Sequence, residues 1–250
     1  MSEFRFKRFC VKNDRSAMKV NTDGVLLGAS VILDNRPLRV LDAGTGTGTI
    51  ALMIAQRMEE KGLLDQSSIL GIDIDADSAE EAAENFRSSP WNAKMESRHT
   101  PLSMCEGLFD LIVSNPPYFD SSLPNPDSRK KISRHTLSPE NESRDDAPLS
   151  YRTLIEYSED HLVEGGLVVM ILPADKEIEV KRTAASSGLS TISIARIKTT
   201  PGKDPSRIIV HLKKKSPAGI LPTEETLIIQ DHGEYTPEYR SIVKDFYLWG

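Results

Sequence analysis

The chain has 250 residues, 38% of them hydrophobic, and a formal net charge of −6 at pH 7. This length suits one domain with a full core, and the negative charge argues against a protein that coats nucleic acid broadly. No segment approaches the roughly 18 apolar residues of a membrane span, and the first phenylalanines alternate with basic residues instead of forming a signal peptide. Cys10 and Cys105 form neither a disulfide framework nor a metal site. We therefore expect a monomeric cytoplasmic protein with no membrane segment and no metal.

The N-terminal segment alternates aromatic with basic side chains, which predicts a half-buried strand over residues 4–11. Its phenylalanines are expected to pack inward. Arg5, Lys7 and Arg8 are candidates for contacts with the phosphates of a nucleic acid, and ordinary solvated side chains are the alternative. An amphipathic helix over 22–33 follows, with Thr22 or Asp23 as its N-cap.

A glycine-rich turn follows the apolar strand 38–42 and opens a helix over 47–60. Its three alternating glycines are Gly44, Gly46 and Gly48. Glycines at a strand-to-helix turn allow a ligand to approach the backbone, and the helix start offers unpaired N–H groups. The third glycine of a dinucleotide fingerprint is missing because position 49 is Thr49. Asp42 would repel a pyrophosphate and instead suits a cationic ligand such as S-adenosylmethionine.

A second acidic strand end lies about 30 residues further on. Strand 69–74 contains Asp73, and Asp75 precedes a helix over 77–88. An acid at the end of the second strand of an α/β unit commonly accepts hydrogen bonds from ribose hydroxyls, and Asp73 is the candidate. Asp75 is either a second contact or, with Asp77, part of the helix cap.

The motif Asn115-Pro116-Pro117-Tyr118 ends the strand 109–114. A proline has no N–H for a sheet, and the residue before a proline is held extended. The motif therefore presents an amide, backbone carbonyls and an aromatic face to one small volume, which suits a planar group carrying an NH2. A proline-rich strand exit with a packing tyrosine is the structural alternative.

A loop over 119–148 begins directly after this motif. Loops longer than about 15 residues are usually lids, binding loops or disordered, so we expect this one to face the substrate. The candidate RNA contacts in its basic half are Arg129, Lys130, Lys131 and Arg134.

The remaining elements complete an alternating pattern. We predict a strand at 95–99, a helix at 149–162, a strand at 167–172, a helix at 174–187 ended by Gly188, and an antiparallel pair of strands at 189–198 and 206–214. Alternating strands and helices predict an α/β fold with a doubly wound, mainly parallel sheet, whose ligand lies at the carboxyl ends of the strands. Residues 1–250 are expected to form one domain, with an N-terminal extension (1–36) and a C-terminal appendage (216–250).

Together these motifs resemble the class I S-adenosylmethionine-dependent methyltransferases with an Asn-Pro-Pro-Tyr motif. The segments 4–7, 14–20, 22–24, 133–136 and 245–248 narrow the resemblance to the bacterial tRNA(Val) adenine-N6 methyltransferases, which act on adenine 37 beside the anticodon. The resemblance implies a Rossmann-like seven-stranded sheet with an antiparallel last strand, S-adenosylmethionine as cofactor and tRNA-Val as partner.

The resemblance also implies roles for individual residues. Asn115 and the Pro116 carbonyl would accept the two N–H bonds of the adenine amino group, Pro117 would stiffen the motif, and Tyr118 would stack on the base. Residues predicted to contact the cofactor are Thr22, Asp23, Asp42, Gly44, Gly46, Gly48, Asp73, Thr100 and Asn115. One departure is that the region 97–101 lacks the acid that often contacts the cofactor's adenine. Thr100 is the candidate in its place.

Other functions remain open at this stage. A ribosomal RNA amine methyltransferase is compatible with the motif. A protein glutamine methyltransferase is disfavoured because only about 40 residues precede Asp42. Thr49 and the paired prolines argue against a dinucleotide oxidoreductase, and the intact motif argues against a binding module without catalysis.

Overall fold

The computed structural model describes residues 2–117, 149–215 and 221–249. Its strands are β1 (Glu3–Arg5), β2 (Cys10–Lys12), β3 (Arg39–Ala43), β4 (Ser68–Asp73), β5 (Met95–His99), β6 (Phe109–Ser114), β7 (Leu162–Pro173), β8 (Leu189–Lys198), β9 (Arg207–Lys214), β10 (Thr223–Ile228), β11 (Gln230–Asp231) and β12 (Glu234–Tyr235). Its α-helices are α1 (Thr22–Ser30), α2 (Thr49–Glu60), α3 (Ala76–Arg87), α4 (Tyr151–His161), α5 (Glu177–Ser186) and α6 (Pro237–Val243).

The centre of the fold is an eight-stranded sheet with the order β10-β8-β9-β7-β6-β3-β4-β5. β9 runs antiparallel to β7 and β8, whereas the other neighbouring strands pair in parallel. The doubly wound class is therefore confirmed, and so is the antiparallel pairing of β8 with β9. β3, β4 and β6 are parallel neighbours, so their carboxyl ends lie along the same edge of the sheet. The strand order reverses beside β3, and this is where ligands bind in such sheets.

The sheet has one strand more than the seven expected. The additional strand, β10, lies in the segment assigned to a C-terminal appendage and pairs in parallel with β8 at the edge of the sheet. Its sequence is mostly polar, and Leu227 is its one buried residue. An edge strand needs few apolar contacts, so it leaves a weak hydrophobic pattern.

Two buried apolar clusters cover the two faces of the sheet. Neighbouring residues alternate between them, since Val113 belongs to one cluster and Ile112 to the other. The first cluster includes side chains of α1, α2, α3 and α6, and the second includes side chains of α4 and α5. Within the described residues no helix combines the length and apolar character that a membrane crossing requires.

The N-terminal segment forms a hairpin, so the single strand predicted over 4–11 was wrong. β1 and β2 pair antiparallel, and the Phe6 amide donates to the Phe9 carbonyl at 2.9 Å in the turn between them. Phe6 and Phe9 are buried as expected, and their ring centroids lie 4.6 Å apart. The tight turn allows both phenylalanines to face the core while the intervening Lys7 and Arg8 remain exposed.

The helix signals were partly correct. Asn21 caps α1 by accepting a hydrogen bond from the Gly24 amide at 2.9 Å, so the prediction of Thr22 or Asp23 as the N-cap was wrong. The helix begins at Thr22, as predicted, because the Asn21 side-chain oxygen accepts from an N–H group of the first turn, but it ends at Ser30, three residues earlier than expected. Gly188, with φ of +66°, follows the end of α5 as predicted.

Candidate active site

Three of the predicted site residues lie at the same edge of the sheet. Asp42 is the penultimate residue of β3, Asp73 is the last residue of β4, and Asn115 directly follows β6. The register pairs Asp42 with Val113 in the neighbouring strand. The Ser114 hydroxyl donates to the Ala43 carbonyl at 2.7 Å and joins the two strand ends. The fold thus brings together side chains that lie 73 positions apart in the sequence.

The glycine turn depends on left-handed backbone geometry. The φ angles of Gly44, Gly46 and Gly48 are +71°, +54° and +80°. A Cβ atom on Gly48 would lie 2.5 Å from Cε1 of Phe86, and one on Gly44 would lie 2.7 Å from Cδ2 of Leu149. The alternation of glycines in the sequence therefore reflects a compact turn in which side chains would be both strained and obstructed.

Asp42 lies in β3, two residues before Gly44, and is fully buried. Its Oδ2 accepts a hydrogen bond of 2.8 Å from the Thr45 hydroxyl. Its Oδ1 has no hydrogen-bond partner within the described part of the chain. Burial raises the pKa of Asp42 to about 7 and the charge of Asp73 adds to the rise, against smaller lowerings by the Thr45 hydroxyl and the backbone N–H of Ala51. A buried carboxylate oxygen without a donor is costly, and it fits a site that a cationic or N–H-bearing ligand completes.

Asp73 organises the neighbouring strand end. Its Oδ2 accepts a hydrogen bond from the Gly46 amide and its Oδ1 accepts one from the Asp75 amide, each at 2.9 Å. Burial raises the pKa of Asp73, and these two backbone donors oppose the rise. The Thr100 amide donates to the Asp73 carbonyl at 2.9 Å, so Thr100 adjoins the same strand end.

The first turn of α3 explains the other acidic residues of this region. Asp75 is the N-cap, and its Oδ2 accepts hydrogen bonds from the Ser78 amide at 3.1 Å and the Ser78 hydroxyl at 2.7 Å. Asp77 lies exposed in the first turn of the helix. The capping interpretation of Asp75 is therefore confirmed.

Asn115 and Pro116 are buried and Pro117 is partly buried at the end of β6. The Asn115 side chain is 5% exposed, and its Nδ2 donates to the sulfur of Met18 at 3.4 Å. This contact brings a residue from the N-terminal segment to the motif. Tyr118 lies outside the described residues.

Thr22 and Asp23 are the first two residues of α1. Oδ2 of Asp23 accepts a hydrogen bond from Nε of Arg207 at 2.8 Å. Arg207 pairs with Pro173, the last residue of β7, so Asp23 lies at the same edge of the sheet as the other site residues. Thr22 is exposed.

Sequence reasoning missed Ser16, Met18 and Glu81 as parts of this region. Ser16 is buried, and its hydroxyl lies 3.4 Å from the position that a Cβ of Gly46 would occupy. Glu81 is 1% exposed and accepts hydrogen bonds from the backbone of residues 14–16. The signal for Glu81 was its place on the apolar face of α3, between Ala79 and Ala82, where a solvated acid does not belong.

The predicted RNA contacts of the N-terminal segment lie at the opposite edge of the sheet. Nη2 of Arg8 is 2.5 Å from Oε2 of Glu59, at the end of α2. Nζ of Lys7 donates to the Lys244 carbonyl at 2.7 Å, and Arg5 is exposed in β1. The glycine turn precedes α2, and the helix rises about 1.5 Å per residue, so Glu59, the partner of Arg8, lies roughly 16 Å along the helix from the turn. The structure therefore does not bring these residues to the site.

The loop residues named above as RNA contacts, Arg129, Lys130, Lys131 and Arg134, lie outside the described residues. In the parts of the chain that the structure covers, no three His, Cys, Asp or Glu side chains form a group that could hold a metal ion.

Comparisons with known proteins agree with this arrangement. The family model of the methyltransferase small domain matches residues 19–134. Two curated tRNA1(Val) (adenine(37)-N6)-methyltransferases are similar over nearly their whole length. The protein from Flavobacterium johnsoniae is 35% identical, with coverage of 98% of this chain and 99% of the relative. The protein from Parabacteroides distasonis is 39% identical, with coverage of 98% of this chain and 97% of the relative.

A solved structure shows the same fold. A protein of Agrobacterium tumefaciens described as a predicted O-methyltransferase superposes with a TM-score of 0.62 at 20% identity, covering 88% of this chain and 95% of that protein.

Proposed function

The chain belongs to the family of tRNA1(Val) (adenine(37)-N6)-methyltransferases, and from this we propose that it methylates N6 of adenine 37 in tRNA1(Val) with S-adenosylmethionine as the methyl donor. The observation that carries the proposal is the meeting of Asp42, Asp73 and Asn115 at one sheet edge. Asp42 and Asp73 are suited to bind a cationic nucleoside beside the glycine turn. Asn115, which precedes two prolines, is suited to bind a planar amino group.

The proposed donor site consists of the glycine turn and the two acids. S-adenosylmethionine supplies a methyl group that is already activated by its bond to a sulfonium. Asp42 would provide negative charge for the cationic part of this molecule, and this role is supported by its Oδ1, which has no hydrogen-bond partner among the described residues. Asp73 would accept hydrogen bonds from the ribose hydroxyls, because a carboxylate has about four lone-pair positions and the backbone uses two of them.

Thr22, Asp23 and Thr100 complete the proposed donor site at its two ends. Asp23 and its partner Arg207 would lie toward the methionine end, as the family resemblance implies. Thr100 would lie toward the adenine, since its amide is bonded to the last residue of β4.

The proposed acceptor site is formed by Asn115 and Pro116. The lone pair of an adenine amino group is delocalised into the ring, which makes the nitrogen a weak nucleophile. The Asn115 side-chain oxygen and the Pro116 carbonyl would accept its two N–H bonds and so direct the lone pair toward the methyl group. Such orientation is worth on the order of several kcal/mol. Pro117 holds the backbone of Pro116 in an extended conformation, which would keep the two acceptor oxygens in a fixed relative position.

The chain needs no catalytic base for this reaction. The amino nitrogen becomes strongly acidic as it gains the methyl group, so one proton leaves to solvent after the new bond forms. The Pro116 carbonyl and the Asn115 oxygen would keep their hydrogen bonds to the two N–H groups until one proton departs, and the sulfonium that has lost its methyl group would leave as a neutral thioether. We further propose that Tyr118 stacks on the target base and that Arg129, Lys130, Lys131 and Arg134 contact the RNA.

The sequence of the N-terminal hairpin still predicts contacts of Arg5, Lys7 and Arg8 with RNA phosphates, distant from the methylated base. Arg8 would have to exchange its ion pair with Glu59 for a phosphate. Because tRNA is its proposed partner, we also propose that the protein acts in the cytoplasm, as a monomer and without a metal.

A methylation assay with radiolabelled S-adenosylmethionine tests this function. The protein is incubated separately with unmodified tRNA1(Val), the same tRNA with guanine in place of adenine 37, ribosomal RNA and release factors. We expect label in the first tRNA and none in the other samples. Label in ribosomal RNA or in a release factor without label in tRNA would contradict the proposal. Label in both tRNAs would contradict the assignment of position 37.

A further inference from the structure

The N-terminal segment of residues 14–18 lies across the site between the glycine turn and Asn115. The Ser16 hydroxyl donates to the Met18 carbonyl at 3.2 Å, and that carbonyl lies 3.8 Å from the position of a Cβ on Gly46. The Ser78 hydroxyl donates to the Ser16 hydroxyl at 3.2 Å. The segment therefore contacts the glycine turn, the start of α3 and the acceptor motif at once.

A buried carboxylate holds this segment in place. Oε1 of Glu81 accepts the backbone N–H groups of Asp14 at 2.7 Å and Arg15 at 2.9 Å, and Oε2 accepts that of Ser16 at 2.9 Å. Hydrogen bonds to an ionised acceptor are roughly twice as strong as neutral ones. Three of them on one carboxylate make residues 14–16 a fixed part of the site, and Met18 follows two residues later.

Met18 contacts the side chain on which the proposed methylation depends. Its sulfur accepts a hydrogen bond of 3.4 Å from Nδ2 of Asn115. A thioether sulfur has lone pairs but no proton, so it can accept from the NH2 end of an amide and can give nothing to the oxygen end. The contact therefore favours the amide orientation in which the NH2 group faces Met18 and Oδ1 faces away from it.

We propose that Met18 is a positioning residue that sets the orientation of the Asn115 amide, so that Oδ1 is presented to the amino group of the substrate base. This inference rests on the proposed function, because it assigns a role within that reaction. The reversed amide would turn two N–H donors toward an amino group that needs an acceptor. Met18 thus matters for the rate of the bound complex more than for the binding of either substrate.

The variant Met18→Leu tests this role because leucine has a similar volume and no acceptor. We expect the single-turnover rate at saturating tRNA and S-adenosylmethionine to fall roughly fivefold, as for a lost weak hydrogen bond. The KM for tRNA and the calorimetric Kd for S-adenosylmethionine should stay within about twofold. An unchanged rate would overturn the inference, and so would an increase in KM alone, which would make Met18 a wall of the pocket.

Met95→Leu is the matched control. The Met95 sulfur also faces a donor, the Ser89 hydroxyl at 4.0 Å, but it lies at the start of β5, at the opposite edge of the sheet. This substitution should leave the single-turnover rate unchanged. Equal losses in Met18→Leu and Met95→Leu would indicate a general effect of methionine loss and would overturn the inference.

The Asn115→Asp variant separates an effect of Met18 on the orientation of the amide from an effect on packing. In Asn115→Asp both side-chain oxygens are acceptors, so the orientation of the group no longer matters. There Met18→Leu should change the rate less than about twofold. An equal slowing by Met18→Leu in both backgrounds would overturn the inference. The unchanged protein is assayed first: its failure to methylate tRNA would contradict the proposed function, whereas an active protein with an equally fast Met18→Leu variant would contradict this inference alone.

Discussion

The backbone N–H of Gly46 donates a hydrogen bond of 2.9 Å to Oδ2 of Asp73, which ties the glycine turn to the end of the neighbouring strand. The other oxygen of Asp73 accepts the Asp75 amide. One side chain therefore shapes two backbone segments, and these two hydrogen bonds use only two of its about four lone-pair positions. Its proposed role in binding ribose cannot be separated from its role in shaping the turn.

The first prediction concerns Asp73→Asn. This change replaces one acceptor oxygen by an NH2 group that faces a backbone donor, so we expect the Kd for S-adenosylmethionine to rise about tenfold or more. Calorimetry measures the affinity. Asp77→Asn, an exposed substitution in the first turn of α3, should leave the Kd within about twofold. Equal affinities of the Asp73→Asn variant and the unchanged protein would contradict the assignment.

The second prediction concerns Asn115→Ala, which removes the proposed acceptor of the substrate's N–H bond. We expect tRNA methylation to become undetectable while the Kd for S-adenosylmethionine stays within about threefold, since the donor site keeps Asp42 and Asp73. The two measurements are a radiolabel assay and calorimetry. A loss of cofactor affinity comparable to the loss of activity would instead show that the predicted contact of Asn115 with the cofactor, and not its contact with the base, accounts for its effect.

The third prediction follows from the pKa of Asp42, which burial raises to about 7. The carboxylate fraction falls as the pH drops below that value, so a cationic ligand loses its partner. We expect the affinity for S-adenosylmethionine to fall between pH 7 and pH 5.5, by up to about tenfold per pH unit. Calorimetry at several pH values checks this. Asp42→Asn should bind weakly at every pH, and a pH slope unchanged in that variant would assign the dependence to another group.

The fourth prediction concerns His211, which is buried at 3% exposure and whose pKa burial lowers to about 4 from the ordinary 6.5. The folded protein thus binds fewer protons than the unfolded chain between these values. The contribution to stability is present above pH 6.5 and is lost as the pH falls toward 4, by up to about 3 kcal/mol. Urea unfolding of His211→Gln should show a smaller loss between pH 7 and pH 4.5 than the unchanged protein. Parallel curves would exclude His211 as the cause.

The fifth prediction compares two glycines with left-handed backbone. Gly48→Ala adds a Cβ that would lie 2.5 Å from Phe86, whereas Gly62→Ala adds one with no atom within 4 Å. In both variants the alanine must adopt a left-handed backbone conformation, which costs about 1 kcal/mol. Gly48→Ala should lose roughly 1–3 kcal/mol more because Phe86 must shift. Chemical denaturation measures both, and equal losses would show that the ring yields without cost.

The main fold could be predicted because its signals are local. Strand 109–114 coincides with β6, since a short apolar run bounded by turns marks a buried strand. Strands 95–99 and 189–198 also coincide with β5 and β8, although no residue of β5 is buried. The polar edge strand β10 had no such pattern. The hairpin of β1 and β2 was read as one strand because its turn contains neither glycine nor asparagine.

The candidate site was predictable only where strand ends carry unusual residues. Asp42, Asp73 and Asn115 stand at such positions. Glu81 lies on the apolar face of α3, but its partners are 65 to 67 positions away, so its local sequence does not show which residues it contacts. The pairing of Arg8 with Glu59 is equally long in range. No local pattern distinguishes a lysine or arginine that meets RNA from one that meets a carboxylate.

The contact of the N-terminal hairpin with residues 244–246 has a consequence for the order of folding. The Lys7 amide donates to the Phe246 carbonyl at 2.8 Å, and the Lys7 side chain reaches the Lys244 carbonyl 237 positions later. During synthesis these partners emerge long after the hairpin and the whole sheet up to β10. Contacts of such sequence separation form slowly. The segment 14–18 follows the hairpin directly, so the N-terminal side of the acceptor site would be completed only after residues 244–246 have been synthesised.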